Sequence, residues 1–139
     1  MKIAAVIIVI LSLVIGIVPQ FTDCQSQGKA LELKDGRMVP MKCHWTGQGE
    51  LALSMPFLGL GALLGFTRRR ESYISLGVLG SVLGSFVILL PTALIGVCAN
   101  PDMICNSVMK PTLILSGIVL IVTSLFVLVK GIREKDLAA

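Results

Sequence analysis

The four cysteines of this 139-residue chain fall in two short polar stretches, Cys24 and Cys43 within 20–50 and Cys98 and Cys105 within 98–110. Thiols in that number can pair as disulfides, hold a soft or borderline metal, or exchange with other disulfides. Exchange enzymes typically use Cys-x-x-Cys, and that spacing is absent. Met38, Met41, Cys43 and His44, with Met103, Cys105 and Met109 in the second stretch, offer soft ligands suited to copper, and thiolates with His44 would suit zinc. No single segment has metal-ligand spacing, however, and an oxidising surrounding turns thiols into disulfides before they can ligate. No metal, cofactor or catalytic residue is therefore expected. Met41-Lys42-Cys43-His44 ends like a haem attachment motif but lacks its first cysteine.

Disulfides are the expected use of the thiols, with Cys24–Cys43 and Cys98–Cys105 preferred among the three pairings. Between the first pair, Ala30–Lys34 and Arg37–Met41 flank Asp35-Gly36, a two-residue hairpin signal. Two strands alone are marginal in water. A Cys24–Cys43 bond would close a loop of about twenty residues and contribute about 3 kcal/mol by chain entropy. In the second stretch Asn100-Pro101-Asp102 is a turn initiator that swings Cys98 and Cys105 together. His44 and Trp45 read most simply as an anchor at the headgroup level, since Trp prefers that region.

These stretches need something to hold them, and composition says what it is. Apolar residues make up 55% and charged residues 14% of the chain, and the mean hydropathy is +0.90, which suits a membrane protein. Four apolar segments, about 3–19, 51–67, 72–97 and 111–130, are long enough to cross a bilayer as helices and carry almost no charge. The fold class expected is an all-α, single-domain bundle of four transmembrane helices with a small disulfide-braced cap containing a β-hairpin. The first segment reads as a retained span: its apolar run exceeds a signal-peptide core, no Ala-x-Ala precedes Phe21, and Phe21-Thr22-Asp23 is unlike a lipoprotein site.

Basic residues set the orientation. Arg68, Arg69 and Arg70 sit between the second and third segments, and Lys2, Lys130, Arg133 and Lys135 lie at the ends of the first and fourth. On the other side Lys29, Lys34, Arg37, Lys42 and Lys110 are balanced by Asp23, Glu32, Asp35, Glu50 and Asp102. Both termini are thus expected in the cytoplasm, with the cysteine loops outside a plasma membrane. The pI near 9.1 reflects this topology and attraction to anionic membrane lipids, and no nucleic-acid partner is implied.

Within the spans, Gly59, Gly61 and Gly65 of the second and Gly77, Gly80 and Gly84 of the third form small-x-x-x-small patterns that let helices approach closely. They would close the bundle itself or dock a partner's helix. Pro91 is expected to kink the third span, with Thr92 or a neighbouring helix covering the freed carbonyl. Apart from Lys130 at the last boundary the predicted spans hold no Asp, Glu, Lys, Arg or His, which argues against a proton-coupled carrier, an ion pump or an intramembrane aspartyl or metalloprotease.

The run Met41-Lys42-Cys43-His44-Trp45-Thr46, followed by Gly47-Gln48-Gly49-Glu50 and a glycine-rich span, resembles the small membrane family catalogued as domain of unknown function 4418. The second loop, Cys98 to Cys105 with Asn100-Pro101-Asp102-Met103, is similar to that family's second cysteine loop. The resemblance covers nearly the whole chain and implies four spans with outer-face cysteines. It also implies association with ABC exporters whose permeases resemble the macrolide-export and cell-division type, while supplying no catalytic residue. The function expected is a non-enzymatic accessory subunit that meets an ABC transporter permease through its helices and cap. The alternatives are an extracytoplasmic metal- or lipid-ligand-binding protein, or a self-assembling scaffold that forms a homo-oligomer.

Overall fold

A computed structural model describes residues 2–67 and 69–137. Arg68 of the basic run lies outside the described residues, as do the side chains of Arg70 and Lys135. Helix α1 spans Lys2–Thr22, α2 Lys42–Phe66, α3 Arg70–Leu89 and α4 Lys110–Leu137. Between α1 and α2, strand β1 (Leu31–Glu32) pairs antiparallel with β2 (Met38–Val39), and Gly36 at φ 74° supplies the left-handed turn residue that a side chain would resist. Each helix includes a stretch long and apolar enough to cross a membrane.

The helix ends depart from hydropathy in two places. Helix α2 begins at Lys42, nine residues before the apolar boundary at Leu51, so that Thr46-Gly47-Gln48-Gly49-Glu50 is helical. Hydropathy locates what prefers lipid; it does not locate where helical hydrogen bonding starts. At the other end of the third span, α3 passes into a wide π-helical turn, Leu90–Leu94, with buried Pro91 near its start. Thr92 Oγ1 donates to the Ile88 carbonyl at 2.6 Å. The turn stops at Gly96, whose φ of 79° lets its amide reach back to the Leu90 carbonyl at 3.0 Å. The helical part of this span therefore ends at Leu94, short of residue 97.

Helix α1 packs most extensively on α2, and α3 on α4; the α1–α4 and α2–α3 seams are slighter. The fold is thus two helical hairpins laid side by side. Glycines form the close contacts within each hairpin. A Cβ at Gly61 would lie 2.7 Å from Val9 Cγ2 on α1, and one at Gly65 would touch Ala5. On α3, a Cβ at Gly77 would lie 2.8 Å from Leu128 Cβ, one at Gly84 would lie 2.9 Å from Ile121 Cγ1, and one at Gly80 would collide with Ser124 Oγ. Five of the six glycines therefore seat against this chain's own helices, and they do so on α1 and α4 rather than on each other. Gly59 faces open space. The core runs through Ile8, Ile15, Phe57, Leu64, Leu113 and Leu120, all within 1% of complete burial, and continues without a break into the cysteines at one end.

Candidate functional site

Three segments deliver the sulfurs to that end of the bundle. Helix α1 stops at Thr22, and the chain turns through Asp23 to Lys29, closed by the Gly28 amide on the Gln25 carbonyl at 3.0 Å and the Lys29 amide on the Cys24 carbonyl at 2.9 Å. Asp23 is the pivot of this turn. Its Oδ1 accepts the Ser26 amide at 2.8 Å, and its Oδ2 accepts His44 Nδ1–H at 2.8 Å, which fixes the imidazole tautomer and ties the turn carrying Cys24 to the first turn of α2 carrying Cys43. Burial pushes the Asp23 carboxyl up, but the hydrogen bonds from His44 and Ser26 outweigh it and hold the group below its ordinary value. One turn beyond Cys43, Gly47 lets Pro19 of α1 approach, since a Cβ there would lie 3.3 Å from Pro19 Cβ.

The other hairpin contributes Cys98 and Cys105. Thr46 Oγ1 donates to the Gly96 carbonyl at 2.7 Å, which pins the end of the third span against α2 two residues before Cys98. The expected turn follows, with the Asp102 amide on Asn100 Oδ1 at 3.2 Å and the Met103 amide on the Asn100 carbonyl at 3.3 Å. Cys105 opens a second π-helical turn, Cys105–Met109, that leads into α4.

All four sulfurs converge. Cys24 Sγ lies 3.5 Å from Cys98 Sγ and 3.5 Å from Cys105 Sγ, Cys98 Sγ lies 3.5 Å from Cys43 Sγ, and every pair is within 4.8 Å. The cysteines are free thiols: the disulfide brace expected from the sequence is not shown, and the four sulfurs form one tetrad at separations well beyond the bond length of about 2.05 Å. The spacing argument against a metal weighed one segment at a time, whereas this set is assembled from three. Tetrahedral coordination with metal–sulfur bonds of about 2.3 Å places sulfurs roughly 3.8 Å apart, and the observed distances sit close to that. The donor set fits a thiophilic metal.

The electrostatics of the tetrad are uneven. Cys24, Cys43 and Cys105 are buried, and Cys98 is half-buried. Burial and thiol neighbours together push the Cys24 thiol far up. Burial also raises Cys98, but hydrogen bonds from Cys43, Cys24 and Cys105 reverse the sign and leave it below its ordinary value. Cys98 is thus the most accessible of the four and the one held below its ordinary value.

Two hollows flank the tetrad. A cavity of about 160 Å³ is lined by Asp23, Cys24, Lys29, Asp102 and Cys105, and a more apolar cleft of about 530 Å³ is lined by Leu33, Val39, Met41, Lys42 and Cys98. Met103 borders both. The sequence-predicted residues divide accordingly: His44 braces the site through Asp23, Trp45 is exposed beside it with its ring edge-on to the imidazole, and the glycines lie in the bundle away from the thiols.

One acidic residue escaped the sequence reading. Glu50, counted there as a loop charge, sits inside α2 at 0% exposure with neither carboxylate oxygen partnered among the described residues. It lies seven residues from Cys43 on the same buried face as Thr46 and Ser54, about 10 Å along the axis from the cysteine at 1.5 Å per residue. The signal was the polar series Cys43, Thr46, Glu50 and Ser54 at helical spacing.

A helical bundle whose four helices are long and apolar enough for a multi-pass membrane protein, closed at one end by a four-thiol centre, is the class this geometry defines. The chain belongs to the family described as domain of unknown function DUF4418, whose family model matches residues 2–130. No curated protein and no solved structure matches it.

Proposed function

We propose that this protein is a non-enzymatic, membrane-anchored binding protein for a thiophilic metal ion, held by Cys24, Cys43, Cys98 and Cys105 on the extracytoplasmic side, with both termini in the cytoplasm. The observation that carries the reading is the convergence of four sulfurs from three segments to within 4.8 Å of one another. Structural and transport thiolate sites share this donor set. Burial supports retention of thiols in an oxidising compartment, because reaction with oxidants follows exposure and thiolate character, and only Cys98 is more than slightly exposed. Lys29 and Lys42, one on each flanking hollow, offset the negative charge of a metal tetrathiolate.

The test is elemental analysis of protein purified reduced and without chelator. About one thiophilic metal per chain is expected, as a four-cysteine site requires, and Cys24→Ser removes it. A non-reducing peptide map of native membranes that finds two stoichiometric disulfides overturns the reading.

An accessory role beside an exporter permease is a second reading, favoured by one observation. The cap exposes Leu31 at 57% and Met38 at 70% on its two-stranded ribbon, outside the helices that lipid would cover. The glycine faces give it less support, since five of the six are filled by the chain's own side chains. Pull-down of the tagged protein after mild solubilisation tests this role: a permease should come with it, and recovery of free monomer alone overturns it.

A further inference from the structure

Two methionines extend the thiol tetrad outward. Met41 Sδ lies 3.8 Å from Cys98 Sγ, and Met103 Sδ lies 3.9 Å from Cys24 Sγ. Among the described residues these are the methionines in sulfur contact with a cysteine. The others behave differently: Met109 is fully buried as packing, and Met38 and Met55 are exposed at 70% and 67%. Met41 and Met103 are half-buried and pack against the core, and both border the larger cleft together with Cys98, the most accessible thiol.

A neutral thioether adds little for zinc, which is satisfied by four thiolates, but it is a competent ligand for monovalent copper. It also carries no proton, so it can accept Cu(I) before any thiol ionises. Two metal–sulfur bonds of about 2.3 Å each can span up to roughly 4.6 Å. The thioether–thiol separations of 3.8 and 3.9 Å are therefore short enough for one ion to bridge them.

We infer that Met41 and Met103 are the receiving ligands of a Cu(I) transfer path, taking the ion at the apolar cleft and passing it to Cys98 and Cys24, so that the metal is cargo in exchange and not a permanent structural pin. This rests on the thiolate-metal reading above. The step is ligand exchange without redox change: copper stays monovalent, a copper–thioether bond breaks as a copper–thiolate bond forms, and each thiol that becomes a ligand releases one proton to water. Cys98, the most accessible of the four thiols and the one in contact with Met41, is the first acceptor.

The experiment compares the full-length reduced protein with the Met41→Leu/Met103→Leu double variant in detergent under nitrogen. The probes are Cu(I) presented as its complex with a chromophoric chelator and, separately, Zn(II) alone. The rate of Cu(I) uptake should fall at least tenfold in the double variant, while Zn(II) affinity stays within about twofold. Uptake at the wild-type rate overturns the inference, and so does an equal loss of zinc binding, which would mean that the thioethers only pack the site. If the double variant does not fold, Met103→Leu alone is read by the same two criteria. Wild-type protein that binds zinc but not Cu(I) sinks this inference and leaves the underlying reading intact. Binding of neither metal sinks both.

Discussion

The bundle and its cap are held together by different means. Within the bundle the close contacts are made by small residues such as Gly61 against α1 and Gly77 and Gly84 against α4, and the buried hydroxyls of Ser12 and Ser54 return to their own helices, each 2.7 Å from a carbonyl. The cap, by contrast, is fixed by long-range polar pairs: His44 with Asp23 at 2.8 Å and Thr46 with the Gly96 carbonyl at 2.7 Å. Close packing specifies distance and little else. Directional bonds specify the positions of atoms, which is what a site for four sulfurs needs.

If that division is right, substitutions in the two regions should have separable effects. The largest is expected from Cys43→Ser, which should abolish stoichiometric metal while leaving the helical circular dichroism of the detergent-solubilised protein unchanged. Metal affinity should also rise with pH. Cys24 is held protonated by burial and by its thiol neighbours, so loading must expel its proton, and competition titrations at successive pH values should show tighter binding at each step upward and weaker binding on acidification.

Next comes the bundle. Gly77→Val puts a side chain against the Leu128 backbone, a Cβ there already lying 3.0 Å from Leu128 Cα, and should cost about 1–3 kcal/mol by overpacking. Thermal unfolding in detergent would register this, whereas Gly59→Ala, which faces open space, should leave the midpoint nearly unchanged.

A smaller effect is expected at the brace. The carboxyl of Asp23 is depressed in the folded protein relative to its ordinary value of 3.8, so its contribution to stability is fully present above that value and is lost as pH falls through the lower folded one. Asp23→Asn should lower stability by about 0.5–1.5 kcal/mol at neutral pH and flatten the acid limb of a stability profile. The smallest change is expected from Glu50→Leu. Replacing an unpartnered buried carboxylate with an apolar side chain is close to neutral or stabilising, so a loss of metal binding or of partner capture in this variant, with the melting point intact, would mark Glu50 as functional.

Much of the architecture was legible because lipid imposes it. Four long apolar segments admit few arrangements, and the grouping of cysteines into two loops followed directly from the segment boundaries. What could not be read was convergence. The separations of 19 residues between Cys24 and Cys43 and 7 between Cys98 and Cys105 suggest two local pairs. Thr46 pins Gly96 across the two pairs and His44 holds Asp23 within the first, and neither contact leaves a periodic trace in the sequence. The glycines were recognised as packing residues, but their partners depended on which helices form hairpins. Glu50 was misplaced for a different reason: hydropathy assigns a carboxylate to water, while the helical register of α2 assigns it to the interior.

The tetrad draws two sulfurs from each helical hairpin, Cys24 and Cys43 from one and Cys98 and Cys105 from the other, while the α1–α4 and α2–α3 seams between the hairpins are slight. An ion held there as proposed would act as a yoke between two leaves that otherwise lean on each other lightly. It would favour the joined arrangement by mass action, so that occupancy at the thiol end would set how firmly the two leaves are coupled.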